Sequence, residues 1–187
     1  MTQQEIITNL TEKYLPHIIN LRRTIHKHPE LSNEERGTAA LLAGELKALG
    51  FDVRENIAGG YGVSALLKGN HPGPTVALRT DMDALAVQED TGLSFASETE
   101  GKMHACGHDA HMAILIGTAS VLADMKPAIR GNILFICQPA EENAPTGGAK
   151  AIVAAGLLDG VAAVYGLHVW PALPTGTVGV RTGPVMA

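Results

Sequence analysis

Two residues of the kind that bind transition metals lie on either side of a glycine near the middle of the chain. Cys106 and His108 are separated only by Gly107, which allows the backbone to bend so that both side chains reach one ion. Thiolate and imidazole are the usual protein ligands of zinc and its first-row neighbours. The triplet therefore predicts part of a metal site, although a buried cysteine beside surface histidines would give the same pattern.

A pair of glutamates, Glu141 and Glu142, follows an apolar run over residues 132–137. Two adjacent carboxylates after such a run are costly to bury unless a cation neutralises them. In an extended chain they point to opposite sides, so one could bind a metal while the other faces a metal-bound water. Such a water has a lowered pKa, and a nearby carboxylate can accept its proton. The alternative interpretation is a solvated turn.

Four more residues are candidates for the same site. His168 ends an apolar segment, where a histidine satisfied within the core is the alternative. Asp109 begins a predicted helix, where a carboxylate is favoured, and it could place one oxygen on each of two ions. Asp81 and Asp83 follow another apolar run and could either bind metal or orient the ligand histidines. We favour the orienting role for both.

The candidates form four polar groups, and all but the second follow a predicted strand: Asp81 with Asp83, Cys106 with His108 and Asp109, Glu141 with Glu142, and His168. Apolar patterns predict strands over 63–67, 75–79, 132–137 and 163–167, and residues 177–181 begin one more. We expect 132–137 and 163–167 to be buried, the former because its near-continuous apolar run is typical of a strand covered on both faces. Ligands of open α/β sheets bind outside the carboxyl ends of the strands. Three of the four polar groups can therefore converge there.

Helical periodicity predicts four helices, over residues 4–27, between Ser32 and Gly50, over 109–125 and over 149–155. Pro16 is a point where the first could bend or divide. Ser32 and Glu35 match a capping box that would begin the second. Short strands that alternate with helices predict an α/β fold, a three-layer α/β/α sandwich.

Composition excludes several classes of protein. The 187 residues correspond to about one domain. The net charge of −5 argues against a nucleic-acid partner, and the 45% apolar content argues against disorder. No apolar run reaches the roughly 20 residues of a membrane helix, and the N-terminus lacks the pattern of a signal peptide. With only two cysteines, Cys106 and Cys137, we expect a cytoplasmic protein without disulfides.

Taken together, the motifs resemble those of the metal-dependent amidohydrolases of the aminoacylase and carboxypeptidase type. The branch that looks most similar contains hippurate hydrolase, N-acyl-L-amino-acid amidohydrolase and the indole-3-acetyl-amino-acid hydrolases. Five motifs carry the resemblance over nearly the whole chain, at residues 25–31, 79–85, 104–111, 138–142 and 166–171. The resemblance implies a zinc-exopeptidase-like catalytic domain.

The resemblance also implies roles for single residues around two divalent ions, usually manganese, zinc, nickel or cobalt. The implied ligands are Cys106, His108, Glu142 and His168. Glu141 matches the general base that activates a water, and Asp81 matches the aspartate that orients the site. Asp109 falls where related branches have a metal-bridging aspartate, although Cys106 could bridge here instead. The implied reaction is hydrolysis of the amide bond of a small N-acyl-L-amino acid, such as an N-acetyl-amino acid or hippurate.

Members of this family are about twice as long as this chain. They insert a lid and dimerisation domain and then return to the catalytic domain with a further histidine ligand. We therefore expect residues 1–187 to be the N-terminal part of the catalytic domain of a homo-oligomeric parent, incomplete at the C-terminus and weakly active or inactive alone. The alternatives are a non-catalytic metal-binding or interaction module left by truncation, and a structural zinc domain. The last is disfavoured because closed four-ligand sites rarely keep a spare glutamate pair.

Overall fold

The structure is a computed structural model that describes residues 1–143 and 147–183. Its elements follow one another as α1 (Gln3–Lys27), α2 (Arg36–Ala48), β1 (Asp52–Ile57), β2 (Gly62–Lys68), β3 (His71–Asp81), α3 (His108–Asp124), a 3-10 turn (Lys126–Ala128), β4 (Arg130–Gln138), α4 (Gly148–Ala154) and β5 (Val161–Tyr165). Within the described residues, no helix has both the length and the apolar character needed to cross a bilayer.

The strands form a single sheet in the order β1-β2-β4-β3-β5. β2 is antiparallel to both β1 and β4, whereas β3 is parallel to both β4 and β5. The successive residues Phe135 and Ile136 of β4 point to opposite faces and are both almost fully buried, as predicted for this strand. Because β3, β4 and β5 run in the same direction, their carboxyl ends meet at one edge of the sheet.

Helices cover both faces of the sheet, as the three-layer prediction requires. On one face, α1, α2 and α3 bury a large apolar cluster that includes Leu42, Met112 and Phe135. On the other face, α4 packs through Ile152 in a smaller cluster with Ile136. The sheet is thus held in place mainly from the first face, and its carboxyl edge is left open for the polar groups.

The first helix is continuous through Pro16 and does not divide there. A proline removes the N–H that would bond to the carbonyl four residues earlier, at Glu12. Both Pro16 and Glu12 are exposed, so water can bond to the freed carbonyl. The helix therefore tolerates a residue that would break it in the core.

The predicted capping box at the start of the second helix is wrong. α2 begins at Arg36, and neither predicted capping residue bonds to its backbone through the side chain in that pattern. The Ser32 hydroxyl instead donates to the Asp83 carboxylate at 2.6 Å, and Glu35 accepts a bond from the N–H of Ala140 at 2.7 Å. Residues that are distant in sequence thus compete successfully for both side chains.

The N-terminus of α2 is capped from a different position. Glu30 accepts hydrogen bonds from the N–H groups of Gly37 and Thr38 at 2.9 and 2.7 Å. A carboxylate suits the positive end of the helix dipole. Glu30 therefore caps the helix, in place of Ser32, which the sequence pattern predicts as the capping residue.

Two strand predictions also need correction, and one strand was missed. β5 is not buried, because it lies at the sheet edge and leaves Val164 and Tyr165 exposed. Residues 177–181 form no strand, and Val178 and Val180 are exposed. β1 was missed because its sequence is mostly polar and it is an edge strand with a largely exposed surface.

Candidate metal centre

Cys106 and His168, which are 62 positions apart, meet at the carboxyl edge of the sheet. The Cys106 sulfur lies 3.4 Å from Nε2 of His168. The other ring nitrogen, Nδ1, donates to the carbonyl of Val169 at 2.6 Å. This bond selects the tautomer in which the Nε2 lone pair is free for a ligand. The loop before α3 and the segment after β5 thus each contribute one metal-binding atom to the same place.

His108 presents a free nitrogen to three carboxylates. Its Nδ1 donates to the carbonyl of Asp83 at 2.7 Å, which leaves Nε2 as a lone pair. Nε2 is buried and has no hydrogen-bond partner. It lies 3.7 Å from Asp81 Oδ2, 3.7 Å from Glu142 Oε1 and 3.8 Å from Glu141 Oε2. A buried lone pair without a donor, surrounded by negative charge, fits a bound cation.

The ligand-type atoms fall into three overlapping triples that share His108. Within each triple the atoms lie within 4.8 Å of one another. The triples are Cys106, His108 and His168; Asp81, His108 and His111; and His108, Glu141 and Glu142. Three carboxylates around one imidazole are mutually repulsive without a neutralising ion. The donor set of sulfur, nitrogen and oxygen is one that a first-row divalent ion accepts.

The Cys106 thiol is held in its protonated form by its surroundings. Burial, together with the carboxylates of Glu142 and Glu141, raises the pKa of this thiol to about 12. A coordinating cation reverses that preference, because a metal-bound thiol loses its proton. The thiol is therefore poised to change its protonation state when a cation binds.

Asp81 makes the contacts expected of a residue that orients others. It accepts a hydrogen bond from His111 Nδ1 at 2.7 Å and one from Arg79 at 2.7 Å. Burial opposes ionisation, but the bond from His111 and the charge of Arg79 lower the pKa of Asp81 to about 2. Asp81 is thus a fixed anion. These contacts are those of a residue that holds its neighbours in place.

His111 links α3 to the segment that carries His168. Its Nδ1 donates to Asp81, and its Nε2 accepts a bond from the N–H of Val169 at 2.9 Å. Both ring nitrogens are therefore engaged with protein atoms, and His111 positions the chain next to His168.

Asp109 pairs with α1 through one of its carboxylate oxygens. Its Oδ2 lies 2.7 Å from Arg22 Nε and 2.7 Å from His26 Nδ1, both on α1. It belongs to none of the triples found among the described residues. One residue along an α-helix turns the side chain by about 100°, so the neighbour of His108 faces a different element. The structure thus brings the other predicted ligands together and assigns Asp109 to an ion pair with α1.

His104 is buried, and neither of its ring nitrogens has a hydrogen-bond partner. Burial lowers the pKa of His104 to about 4 despite the nearby Asp109 carboxylate. It lies outside the three triples in the described part of the chain. The structure thus places it beside the candidate centre as a neutral imidazole.

Residues 77–184 match the sequence model of peptidase family M20/M25/M40. The chain is 48% identical over 170 residues to thermostable carboxypeptidase 1 of Saccharolobus solfataricus, covering 91% of this chain and 43% of that protein. It is 44% identical over 187 residues to the N-acyl-L-amino acid amidohydrolase of Geobacillus stearothermophilus, covering 100% of this chain and 50% of the relative.

A solved structure has the same fold. It is that of the Bacillus subtilis YXEP protein, described as a dinuclear metal binding peptidase from the M20 family. The TM-score is 0.87 at 44% sequence identity, over 92% of this chain and 48% of that one. The chain thus spans about half the length of the relatives it matches. It belongs to peptidase family M20/M25/M40, which confirms the resemblance drawn from its motifs.

Proposed function

We propose that this chain supplies metal-binding and proton-transfer residues to an enzyme that hydrolyses the amide bond of N-acyl-L-amino acids at a pair of divalent ions. The observation that carries the proposal is the buried, unpartnered Nε2 of His108, which faces Glu141 and Glu142. The amidohydrolase relative supports the substrate class, and the dinuclear structural neighbour supports two ions.

Cys106, His108, Glu142 and His168 are the proposed ligands. Sulfur and nitrogen donors suit zinc, cobalt or nickel, while carboxylate oxygens also suit manganese. When bound, the ions would polarise the substrate carbonyl and make a water more acidic. Asp109 is also a predicted ligand, but its ion pair with Arg22 argues against that role.

Glu141 is the proposed general base. Its side chain is 40% exposed, more than that of Glu142 at 25%, so its carboxylate is the more accessible of the two to water. That carboxylate would accept a proton from the attacking water and hand it to the leaving amine. Asp81, held as an anion, would keep His111 in orientation.

Titration of the purified chain with Co²⁺ tests the ligand set. We expect binding with a thiolate-to-cobalt absorption that Cys106→Ser removes, because the thiolate is its source. Cys137→Ala is the matched control, since Cys137 is buried in β4 and lies outside the three triples. Glu141→Gln should bind Co²⁺ almost as the unchanged chain does. A chain that binds no Co²⁺ would contradict the proposal, and loss of binding in Glu141→Gln would make Glu141 a ligand.

N-Acetyl-amino acids and hippurate, added to the cobalt-loaded chain, test the substrate class. We expect them to perturb the cobalt spectrum even if turnover is weak, because the carbonyl would enter the coordination sphere. Turnover by the chain alone should be weak or absent. Metal binding with neither spectral change nor hydrolysis would instead support a non-catalytic metal-binding module.

A further inference from the structure

Three successive backbone N–H groups in the turn after β4 donate to two buried carboxylates. The N–H of Ala140 donates to Glu35 Oε1 at 2.7 Å. Those of Glu141 and Glu142 donate to Asp83 Oδ1 at 3.1 Å and Oδ2 at 2.9 Å. The accepting residues are 0% and 1% exposed. Bonds from N–H groups to carboxylates are stronger than those to neutral acceptors, and burial shields them from water.

Asp83 connects this turn to the histidine that the three triples share. Its backbone carbonyl accepts the bond from His108 Nδ1 at 2.7 Å, while its carboxylate holds the N–H groups of both glutamates. Ser32 donates to the same carboxylate at 2.6 Å. One residue thus fixes the ring of His108 and the backbone of the two glutamates relative to each other.

The turn adopts a backbone that needs support. Ala140 has a φ of 53°, in the left-handed region that residues with a side chain rarely adopt. Such a conformation persists only where the surrounding structure holds it. Packing behind the turn is tight, because a Cβ at Gly148 would lie 2.0 Å from the carbonyl oxygen of Pro139. The bonds to Glu35 and Asp83 hold the turn on the side of these two buried carboxylates.

We propose that Asp83 and Glu35 are positioning residues that fix the backbone of the turn over residues 139–142 and thereby set the direction from which the glutamates approach His108. Neither belongs to a ligand triple within the described ranges. The inference rests on the proposed function, since only at a metal site would this direction matter for binding. Their effect on the metal is indirect, through Glu141, Glu142 and His108.

Amide hydrogen exchange, followed by NMR on the metal-free chain, tests the positioning directly. The amides of Ala140, Glu141 and Glu142 should be protected in the unchanged chain. Asp83→Asn should speed exchange about fivefold or more, the equivalent of one hydrogen bond, at the glutamate amide that faces the new NH2 group, because that group cannot accept a bond. Glu35→Met should speed exchange at the Ala140 amide by a similar factor. Glu35→Gln should speed it less, because the carbonyl of the glutamine side chain still accepts the bond.

Glu34→Gln is the matched control for loss of one carboxylate. Glu34 neighbours Glu35 but is exposed and pairs with Lys102 on the surface. Glu34→Gln should leave the exchange rates of all three amides unchanged. Wild-type glutamate amides that exchange as fast as those of exposed loops would overturn the proposal.

Co²⁺ titration of the same variants tests the consequence for the site. We expect Asp83→Asn to weaken Co²⁺ binding about 10-fold or more, typical of removing a residue that supports a ligand. Ser32→Ala should weaken it less, and Glu34→Gln should not change it. A folded Asp83→Asn chain with wild-type affinity would overturn the proposal.

Two further outcomes remain decisive. If Asp83→Asn does not fold, Ser32→Ala and Glu35→Gln carry the test, and wild-type Co²⁺ affinity with unchanged amide exchange in both would overturn the proposal. If the unchanged chain binds no Co²⁺, the proposed function fails, and amide exchange alone decides whether Asp83 and Glu35 position the turn.

Discussion

The two sides of the candidate metal centre are held in different ways. The glutamate turn, residues 139–142, is fixed by the buried carboxylates of Asp83 and Glu35. The His168 segment, residues 166–170, follows the edge strand β5 and is exposed along its whole length. Its links to the rest of the centre include the N–H bond from Val169 to His111 and the contact of His168 with Cys106.

The contrast shows which half of the site the fold prepares. Contacts outside the ligand set hold the glutamate turn, so we expect it to keep its place whether or not an ion is bound. The His168 segment depends largely on the site itself, and a bound ion would add most to its stability. Variants that change only one side can therefore test the glutamate turn and the His168 segment independently.

Replacing the residue shared by both sides should have the largest effect. His108→Ala removes the imidazole common to all three triples and leaves three carboxylates without their central partner. We expect Co²⁺ affinity to fall by about 100-fold or more, because losing a ligand should cost at least as much as the roughly 10–100-fold typical of losing a residue that supports one. Titration against a chelating dye measures this. His71→Ala, at an exposed histidine that bonds to the Pro127 carbonyl, is the control and should bind normally.

A change at Gly107 should damage the His168 side alone. Gly107 has a φ of 90°, and a Cβ there would lie 2.4 Å from Cγ2 of Val169. Gly107→Ala should destabilise the fold by about 1–3 kcal/mol, measured by denaturant unfolding, and weaken Co²⁺ binding.

Exchange at the Glu141 and Glu142 amides should not change in Gly107→Ala. Gly44→Ala is the matched control, because a Cβ there would meet no atom within 4 Å. It lies inside α2 and should stabilise the chain by about 0.5–1 kcal/mol. Faster exchange at the glutamate amides in Gly107→Ala would show that the two sides are coupled.

Adding a metal ion should protect the two sides unequally. Saturating Zn²⁺ should slow amide exchange at Val169 more than at Glu142, because the glutamate turn is already fixed without it. Exchange measured with and without Zn²⁺ tests this directly. Equal protection of both amides would contradict a preformed glutamate turn.

The smallest expected effect is a pH dependence of stability at the glutamate turn. Burial raises the pKa of Glu35 in the folded chain above its ordinary value of 4.5. At a pH between the ordinary pKa of the unfolded chain and the raised pKa of the folded chain, the folded state binds more protons than the unfolded state. The free energy of unfolding therefore falls as pH rises through this range. Glu35→Gln carries no such proton and should lack this slope.

Unfolding of both chains at pH 4 to 8 measures the difference. The stability of Glu35→Gln relative to the unchanged chain should rise with pH above about 4.5 and then level off. Glu34→Gln, next to it but exposed, should follow the unchanged chain. Parallel pH curves for Glu35→Gln and the unchanged chain would mean that burial of Glu35 costs nothing on ionisation.

Much of the fold could be read from local patterns, because periodicity reports which faces are buried. The apolar run in β4 predicted a strand covered on both faces, and it is one. The Ser32–Glu35 pattern predicted a helix cap and failed, since both side chains bond to residues far along the chain. A local pattern cannot show that a distant partner competes for the same side chain.

The same distinction between local pattern and distant partners applies to the candidate site. The sequence alone determined which residue types can bind a metal and that three of the groups follow strands, because these depend on chemistry and period. Tertiary structure decided that Asp109 turns to α1, that His111 is engaged at both nitrogens, and that Asp83 joins His108 to the glutamate turn. Side-chain direction and long-range partners depend on how the elements pack in space, which no spacing along the chain encodes.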